Sequence, residues 1–333
     1  MPTKPRVMSG MRVSGGGRLH LGHYFGVLKQ WQIYAETSDA FFEVADLHGY
    51  TTEFADPSEI RSGRNEMVID WLASGIDPKK ATFFLQSAVP EIAELQLLLS
   101  MIVPVSWLER VPTYKAQIEA LGAQIATYGF LGYPLMQLCD IAIVKGAFVP
   151  VGRDQSAHLE FAREVVRRFN HLYGAGTEIL VEPKPTFAEN PEVPGTDGRK
   201  MSKSYDNAIY LADDEATTAA KVKKMITDPL KVRRNDPGRP EVCSVFTLWK
   251  LIADTERTGT VAAGCRSGAL GCVADKADFA EALNAYLRPI RVRRALYAAD
   301  PGAVAAILAE GTARTREIAA ETMRAVKTAM KLL

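Results

Sequence analysis

The chain has 333 residues, enough for two domains around a substantial core. With 47% hydrophobic and 24% charged residues and a net charge of +1, it excludes a histone-like polyanion binder but not a partner that touches part of the surface. No run of eighteen apolar residues occurs and the charged start, Met1 to Arg6, has no apolar stretch behind it, so a cytoplasmic protein with no membrane span and no signal peptide is expected.

In chain order, residues 6–9 form a strand candidate, and residues 22–37 a helix with Tyr24, Val27, Leu28, Trp31 and Tyr34 near one face. Residues 40–44 are a second buried strand, ending at Asp46, Leu47 and His48. Asp56-Pro57-Ser58-Glu59 caps a helix that Gly75 closes, and Ala81 to Leu85 is the next strand. This alternation predicts a parallel sheet covered on both faces. Residues 90–145 read as mainly helical, 147–151 as a short strand and 158–172 as a helix. Pro183, Pro185, Pro191, Pro194 and the run Gly195 to Gly198 break the periodicity and predict a mobile connection. Beyond about residue 212 the strands stop and helices alternate with turns at Asp228-Pro229, Asp236-Pro237-Gly238 and Asp300-Pro301-Gly302.

Two motifs about 180 residues apart carry the chemistry. His20-Leu21-Gly22-His23 follows a strand and a glycine turn and opens an amphipathic helix, so both histidines sit at a helix N-terminus, where N–H groups and the dipole favour phosphate. Lys200-Met201-Ser202-Lys203-Ser204 places two lysines on a polar loop. The pair resembles the signature of the class I aminoacyl-tRNA synthetases. Activation of an amino acid puts its carboxylate in line with the α-phosphorus of ATP and expels pyrophosphate, so no protein nucleophile is required and catalysis is positioning plus charge neutralisation. His20, His23, Lys200 and Lys203 are the catalytic candidates. The Gly15-Gly16-Gly17 turn lets backbone approach a nucleotide, and Mg²⁺ accompanies the ATP, held chiefly by phosphate oxygens.

Over nearly the whole length the chain resembles the tryptophanyl-tRNA synthetases. The residues that carry this are Ser9-Gly10-Met11-Arg12, Val44 to His48, Gly75 to Pro78, Gln86-Ser87, Tyr133-Pro134, Asp140, Val149 to Gln155, Thr227 to Pro229 and Glu310-Gly311-Thr312. The resemblance implies a Rossmann-type α/β catalytic domain over 1–212, with an inserted homodimer segment at about 90–145, and an all-helical anticodon-binding domain over 213–333. It implies that tryptophan lies among Gly10, His48, Tyr133, Gln137, Asp140 and Gln155, with Asp140 accepting the indole N–H. ATP would contact Gly22, His23, Gly152, Asp154 and the loop Lys200, Met201, Ser202, Lys203 and Ser204, and tRNA(Trp) receives the acyl group. Independently, Tyr133, Gln137 and Asp140 are spaced i, i+4, i+7, so one helix face presents all three to one pocket, and a buried acceptor selects rings that carry an N–H. His158 and His171 read as structural or exposed, and Trp31, Trp71, Trp107 and Trp249 as core or interface residues.

Three features depart from the family pattern. The turn Val13 to Arg18 is longer by two glycines and lacks a proline, which leaves individual ATP contacts there unassigned. Gln137 also fits the tyrosyl enzymes, whose usual first-strand tyrosine is missing from Arg6-Val7-Met8-Ser9. Cys243, Cys265 and Cys272, followed by Asp275, resemble a four-cysteine [4Fe–4S] motif with its last place changed; buried, unligated thiols are the other reading, and Cys139 is a small buried helix residue. The basic runs Lys221 to Arg234 and Arg288 to Arg294 are candidates for the tRNA face. A tyrosine–tRNA ligase and a non-catalytic tRNA-binding paralogue are the alternative functions.

Overall fold

The computed structural model describes residues 4–152, 156–187 and 192–333. Five parallel strands, β1 (Arg6–Arg12), β2 (Asp39–Ala45), β3 (Ala81–Leu85), β4 (Phe148–Pro150) and β5 (Lys184–Thr186), form one sheet in the order β3-β2-β1-β4-β5. The order runs outward from β1 in both directions, so the chain changes direction between β1 and β4. Open α/β sheets bind ligands in the crevice at such a point, beyond the carboxyl ends of the strands.

The connection from β1 to β2 is helical from Leu21 to Thr37: α1 (Leu21–His23), a π-helical stretch (Tyr24–Leu28) and α2 (Lys29–Thr37). α3 (Asp46–Glu53) and α4 (Ser58–Ser74) lead to β3, and Gly75 ends α4 with a φ of +111°, a conformation only glycine adopts cheaply. Residues 90–143 supply α5 (Pro90–Ser100), α6 (Val105–Glu109), α7 (Pro112–Leu121), α8 (Tyr128–Leu131) and α9 (Tyr133–Ile143). α10 (Ser156–Tyr173) follows β4. β5 lies inside the proline-rich connection, where the sequence predicts no strand: it pairs only with β4, so Pro185 sits on an edge strand that tolerates a missing N–H.

Successive residues of β2 explain the two-sided core. Phe42 joins Trp31, Trp71 and Phe83 on one face, its ring 4.2 Å from that of Trp31, while Phe41 joins Phe84, Leu138 and Val166 on the other. The C-terminal part is all helical: α11 (Glu215–Lys224), α12 (Ser244–Ile252), α13 (Thr255–Ser267), α14 (Cys272–Ala299) and α15 (Pro301–Ala329). These helices share the core of the sheet. Gly311 of α15 lies so close to β3 that a Cβ there would fall 2.0 Å from the Phe83 carbonyl oxygen. Beside it Thr312 Oγ1 accepts the Leu85 N–H at 3.2 Å, so Gly311-Thr312 covers the open edge of β3.

The structure corrects the reading of the second basic run. Arg293 donates to the Ala73 carbonyl at 2.7 Å, and Arg291 to Asn284 Oδ1 and Thr218 Oγ1 at 2.9 and 2.8 Å. Arg294 bonds Asp70 Oδ1 at 2.8 Å and pairs with Glu66, both on α4, while Asp70 Oδ2 accepts the Leu19 N–H at 2.9 Å. Arg293 and Arg294 fasten α14 to α4, and Arg291 fastens it to α11, so these three are committed within the chain. Burial pushes the Asp70 carboxyl up to about 6 against the pull of Arg294. Removing the guanidinium leaves a buried acid without its partner, so Arg294→Met is expected to cost about 2–4 kcal/mol. Urea denaturation checks this: the midpoint should fall with the slope unchanged. A loss below about 0.5 kcal/mol would return Arg294 to the surface-charge class.

Candidate active site

The first half of the site is built on the start of α1. His20 is the cap: its Nδ1 accepts the Gly22 N–H at 3.1 Å, its own N–H donates to His23 Nδ1 at 3.2 Å, and the two rings lie 3.8 Å apart. A Cβ at Gly22 would meet the His20 ring at 2.8 Å, which is why glycine separates the histidines. Burial, and then the nearby Lys203 cation, lower His20 to about 4, and burial, with His20 next, holds His23 well below the usual histidine range. Both rings are therefore neutral near pH 7 and offer N–H groups, not positive charge, to a phosphate.

The lysine loop closes over this corner. Met201 is buried beside Gly22 and its N–H bonds the Val193 carbonyl at 2.9 Å. Asn207 clamps the loop, with Oδ1 accepting the Ser202 N–H at 2.8 Å and Nδ2 donating to Asp197 and to the Lys200 carbonyl. Ser202 Oγ accepts the Ser204 N–H at 3.3 Å. Lys203 Nζ reaches the Ser14 carbonyl at 2.6 Å, on the glycine turn, while Lys200 is exposed. Burial lowers the Lys203 ammonium to about 8. In the turn, Gly15, Gly16 and Gly17 all have positive φ, and a Cβ at Gly17 would lie 1.9 Å from the Gly63 carbonyl oxygen of α4. The added glycines thus let the turn lie directly on α4.

The second half is a cavity of about 450 Å³ at the carboxyl ends of β1 and β4, lined among others by Gly10, Glu43, His48, Tyr133, Gln137, Asp140 and Gly152. Asp140 is buried on its floor. Oδ2 bonds His48 Nε2 at 2.9 Å, and Gln86 Nε2 spans Oδ1 and Oδ2 at 2.9 and 3.0 Å, while Gln86 Oε1 accepts the His48 N–H. α9 presents Tyr133, Gln137 and Asp140 together, as the spacing requires. His158 is buried behind them: Nε2 lies 2.9 Å from Tyr133 Oη and 2.7 Å from Thr113 Oγ1, and Nδ1 lies 3.1 Å from Gln137 Oε1. Three residues of this half went unassigned in the sequence. Gln86 lies in a motif without a role attached, His158 has no metal or nucleophile spacing, and Glu43 stands inside an otherwise apolar strand. Asp154 and Gln155 lie outside the described residues, as does Arg153.

Cys243, Cys265, Cys272 and Asp275 line one small cavity with Lys231, as the spacing suggests, but they do not form a ligand set. Among the described residues no three His, Cys, Asp or Glu side chains are placed to hold a metal ion. Asp275 Oδ1 accepts the Trp249 indole N–H at 2.9 Å, and burial pushes the Cys243 and Cys265 thiols up, toward the protonated form. The fourth position thus braces α14 against α12, and the expected iron–sulfur ligation does not fit the residues as they stand. Cys139 is buried in α9, as expected.

A neutral imidazole pair under a lysine loop, beside a slot with an acidic floor at the sheet's switch point, defines a class I synthetase fold and site. Residues 2–288 match the profile of the tRNA synthetases class I (W and Y). The tryptophan–tRNA ligase of Thermotoga maritima is 44% identical over 98% of this chain and 99% of its own length. That of Aquifex aeolicus is 40% identical over 98% and 100%. The solved tryptophanyl-tRNA synthetase of Campylobacter jejuni, complexed with ADP and tryptophan, superimposes with a TM-score of 0.89 at 33% identity, covering 98% of this chain and 99% of that one. The chain belongs to the class I tRNA synthetases of the tryptophan and tyrosine family. Within it, these full-length relatives place the chain among the tryptophan–tRNA ligases.

Proposed function

We propose that the two halves of the cleft divide the ligation between them. Tryptophan occupies the slot, its ring on the acidic floor of Asp140 and its α-amino group toward Tyr133 and Gln137, with Gln155 as the remaining expected contact. The carboxylate then faces the α-phosphorus of ATP beside Gly22, His23, Gly152 and Asp154. His20 and His23 donate N–H groups to the phosphates, and Lys200 and Lys203 neutralise the charge that develops as pyrophosphate departs. Mg²⁺ enters with the ATP on its phosphate oxygens, and no step uses the cysteine cavity. The adenylate passes its acyl group to the terminal ribose of tRNA(Trp).

The observation that carries this reading is the buried Asp140 floor at the sheet's switch point, in a slot that pairs apolar walls with the side chains of His48, Tyr133 and Gln137. An indole is apolar with one donor, and such a slot suits it better than a phenol, whose hydroxyl would need a second partner. No first-strand tyrosine is present to supply one. A homodimer through residues 90–145 is supported by the exposed Leu97, Met101, Val105 and Tyr128 on that segment. For the tRNA, the exposed Lys223, Lys224, Arg233 and Arg234 support a contact face on the helical part over 213–333, now that Arg291, Arg293 and Arg294 of α14 are committed internally.

The test is ATP–pyrophosphate exchange with each amino acid in turn. Tryptophan is expected to support it at least about a hundredfold better than tyrosine or phenylalanine. Equal support by tyrosine would overturn the amino-acid assignment, and no exchange with any of them would favour a non-catalytic paralogue. No described helix is long and apolar enough to cross a membrane, which suits an enzyme that meets tRNA in solution.

A further inference from the structure

A buried carboxylate ties the phosphate corner to the helical part of the chain. Leu19 stands directly before the His20 cap, and its backbone is held on both sides. Its N–H donates to Asp70 Oδ2 of α4 at 2.9 Å, and its carbonyl accepts the Leu211 N–H, from the chain just beyond the lysine loop, at 2.9 Å. His20 bridges Tyr210, and the Leu21 N–H donates to the Ile209 carbonyl at 3.0 Å. The histidine motif and the root of the lysine loop are thus laid against each other, and Asp70 seats them on α4. Asp70 itself is fully buried, and its other oxygen takes the Arg294 guanidinium of α14 at 2.8 Å. Three residues earlier on α14, Arg291 donates to Thr218 of α11. Just ahead of α11, Asp213 accepts the Tyr210 N–H at 2.9 Å and pairs with Lys221. α14 therefore grips the corner from two sides. Fastening alone does not account for Asp70, because a buried acid is costly to desolvate. Arg293, next along, fastens α14 to α4 through the Ala73 carbonyl without one.

We propose that Asp70 is a positioning residue for adenylation: the chain Arg294–Asp70–Leu19 seats the histidine cap and the root of the lysine loop as one unit, so that placement of the phosphates depends on the seating of α14. This rests on the reading of the corner as the ATP site. A carboxylate accepts from Leu19 and Arg294 at once, whereas a carboxamide offers one oxygen, so Asp70→Asn must give up one of the two donors. The groups that face Asp70 are Arg294 from α14, Glu66 on its own helix and, further off, Lys203 of the loop. Its ionised form, which accepts both donors, is lost as pH falls through about 6, whereas His20 titrates at about 4.

Single-turnover formation of tryptophanyl-adenylate by the full-length enzyme, at saturating tryptophan and MgATP, tests this. Asp70→Asn should slow it on the order of 10- to 100-fold, the scale of a small misplacement of reacting groups, while tryptophan affinity stays within about threefold of wild type. Arg294→Met should slow it similarly, and the double variant should be no more than about threefold slower than the slower single one, because both changes break one chain. Arg294→Lys keeps a cation on Asp70 and should recover most of the rate. Arg293→Met loosens α14 from α4 without touching Asp70, and should stay within about threefold of the wild-type rate. Below about pH 6 the wild-type rate should decline toward that of Asp70→Asn, which should show no such limb. A folded Asp70→Asn protein at the wild-type rate, equal slowing by Arg293→Met, additive losses in the double variant, or a wild-type pH profile that matches Asp70→Asn overturns the proposal. Should Asp70→Asn fail to fold, Arg294→Met against Arg293→Met decides. A wild-type enzyme that forms no tryptophanyl-adenylate would instead overturn the underlying reading of the corner.

Discussion

Lys203→Ala is expected to slow formation of tryptophanyl-adenylate on the order of 30- to 1,000-fold while changing tryptophan affinity only a few-fold, the loss of about 2–4 kcal/mol of transition-state stabilisation. The geometry sets this apart from an ordinary surface lysine. Met201 anchors the loop in the core, Asn207 fixes its backbone, and Lys203 Nζ is held 2.6 Å from the Ser14 carbonyl, at the mouth of the glycine turn and beside two neutral histidines. With both rings uncharged, the cation acting on the histidine pair is that of Lys203. Because Lys203 is lowered to about 8, its cation is present below that pH and lost above it. kcat/KM for ATP should therefore fall on the alkaline side of about 8 in the wild type. That limb should vanish in Lys203→Ala and move to higher pH in Lys203→Arg, whose charge does not titrate. Lys200, which is exposed, should give a smaller change in ground-state ATP binding and act once phosphates are in place. Single-turnover measurements separate the steps, and adenylate formation at the wild-type rate in Lys203→Ala would refute the role.

Much of this corner is legible in the sequence because its chemistry is local. A cap, a glycine under a ring and a short loop leave signatures within a few residues. The first four strands are likewise readable, from short clusters of aromatic, β-branched and other apolar residues between turn signals. β5 was not, since three residues carry no period and proline signals a break. What stayed hidden depends on residues distant in the chain. Gly17 is required by the Gly63 carbonyl, Gly311 by the Phe83 carbonyl, and Arg294 by Asp70, 224 residues away. Read along the chain, Arg288 to Arg294 is a basic stripe; in the fold its inward members are cross-links. Asp275 shows the same limit. Its position relative to Cys272 suits a ligand, but Trp249 claims its carboxylate. Glu43 was passed over because its neighbours Phe41, Phe42 and Val44 read as plain core, and only the packing of Asp140 against it reveals an acid in the slot.

Asp140→Ala is the second large expectation: kcat/KM for tryptophan in pyrophosphate exchange should fall on the order of 30- to 1,000-fold, with much of the preference over phenylalanine lost alongside the rate. Asp140 joins three elements of the floor. Through its oxygens it holds His48 of α3 and Gln86, just beyond β3, and it bears against Glu43 of β2. Truncation leaves the His48 and Gln86 donors without their acceptor, so the cost exceeds that of one hydrogen bond. Asp140→Asn is the sharper probe. It preserves shape and one acceptor oxygen, yet its NH₂ group must face donors on either His48 or Gln86, so it should lose most of the rate while remaining folded. Stability is expected to change little in that variant, which urea denaturation can establish alongside the kinetics. If Asp140→Asn instead retains wild-type kcat/KM and wild-type discrimination against phenylalanine, the acidic floor is not what selects the amino acid, and selection must rest on the shape of the slot.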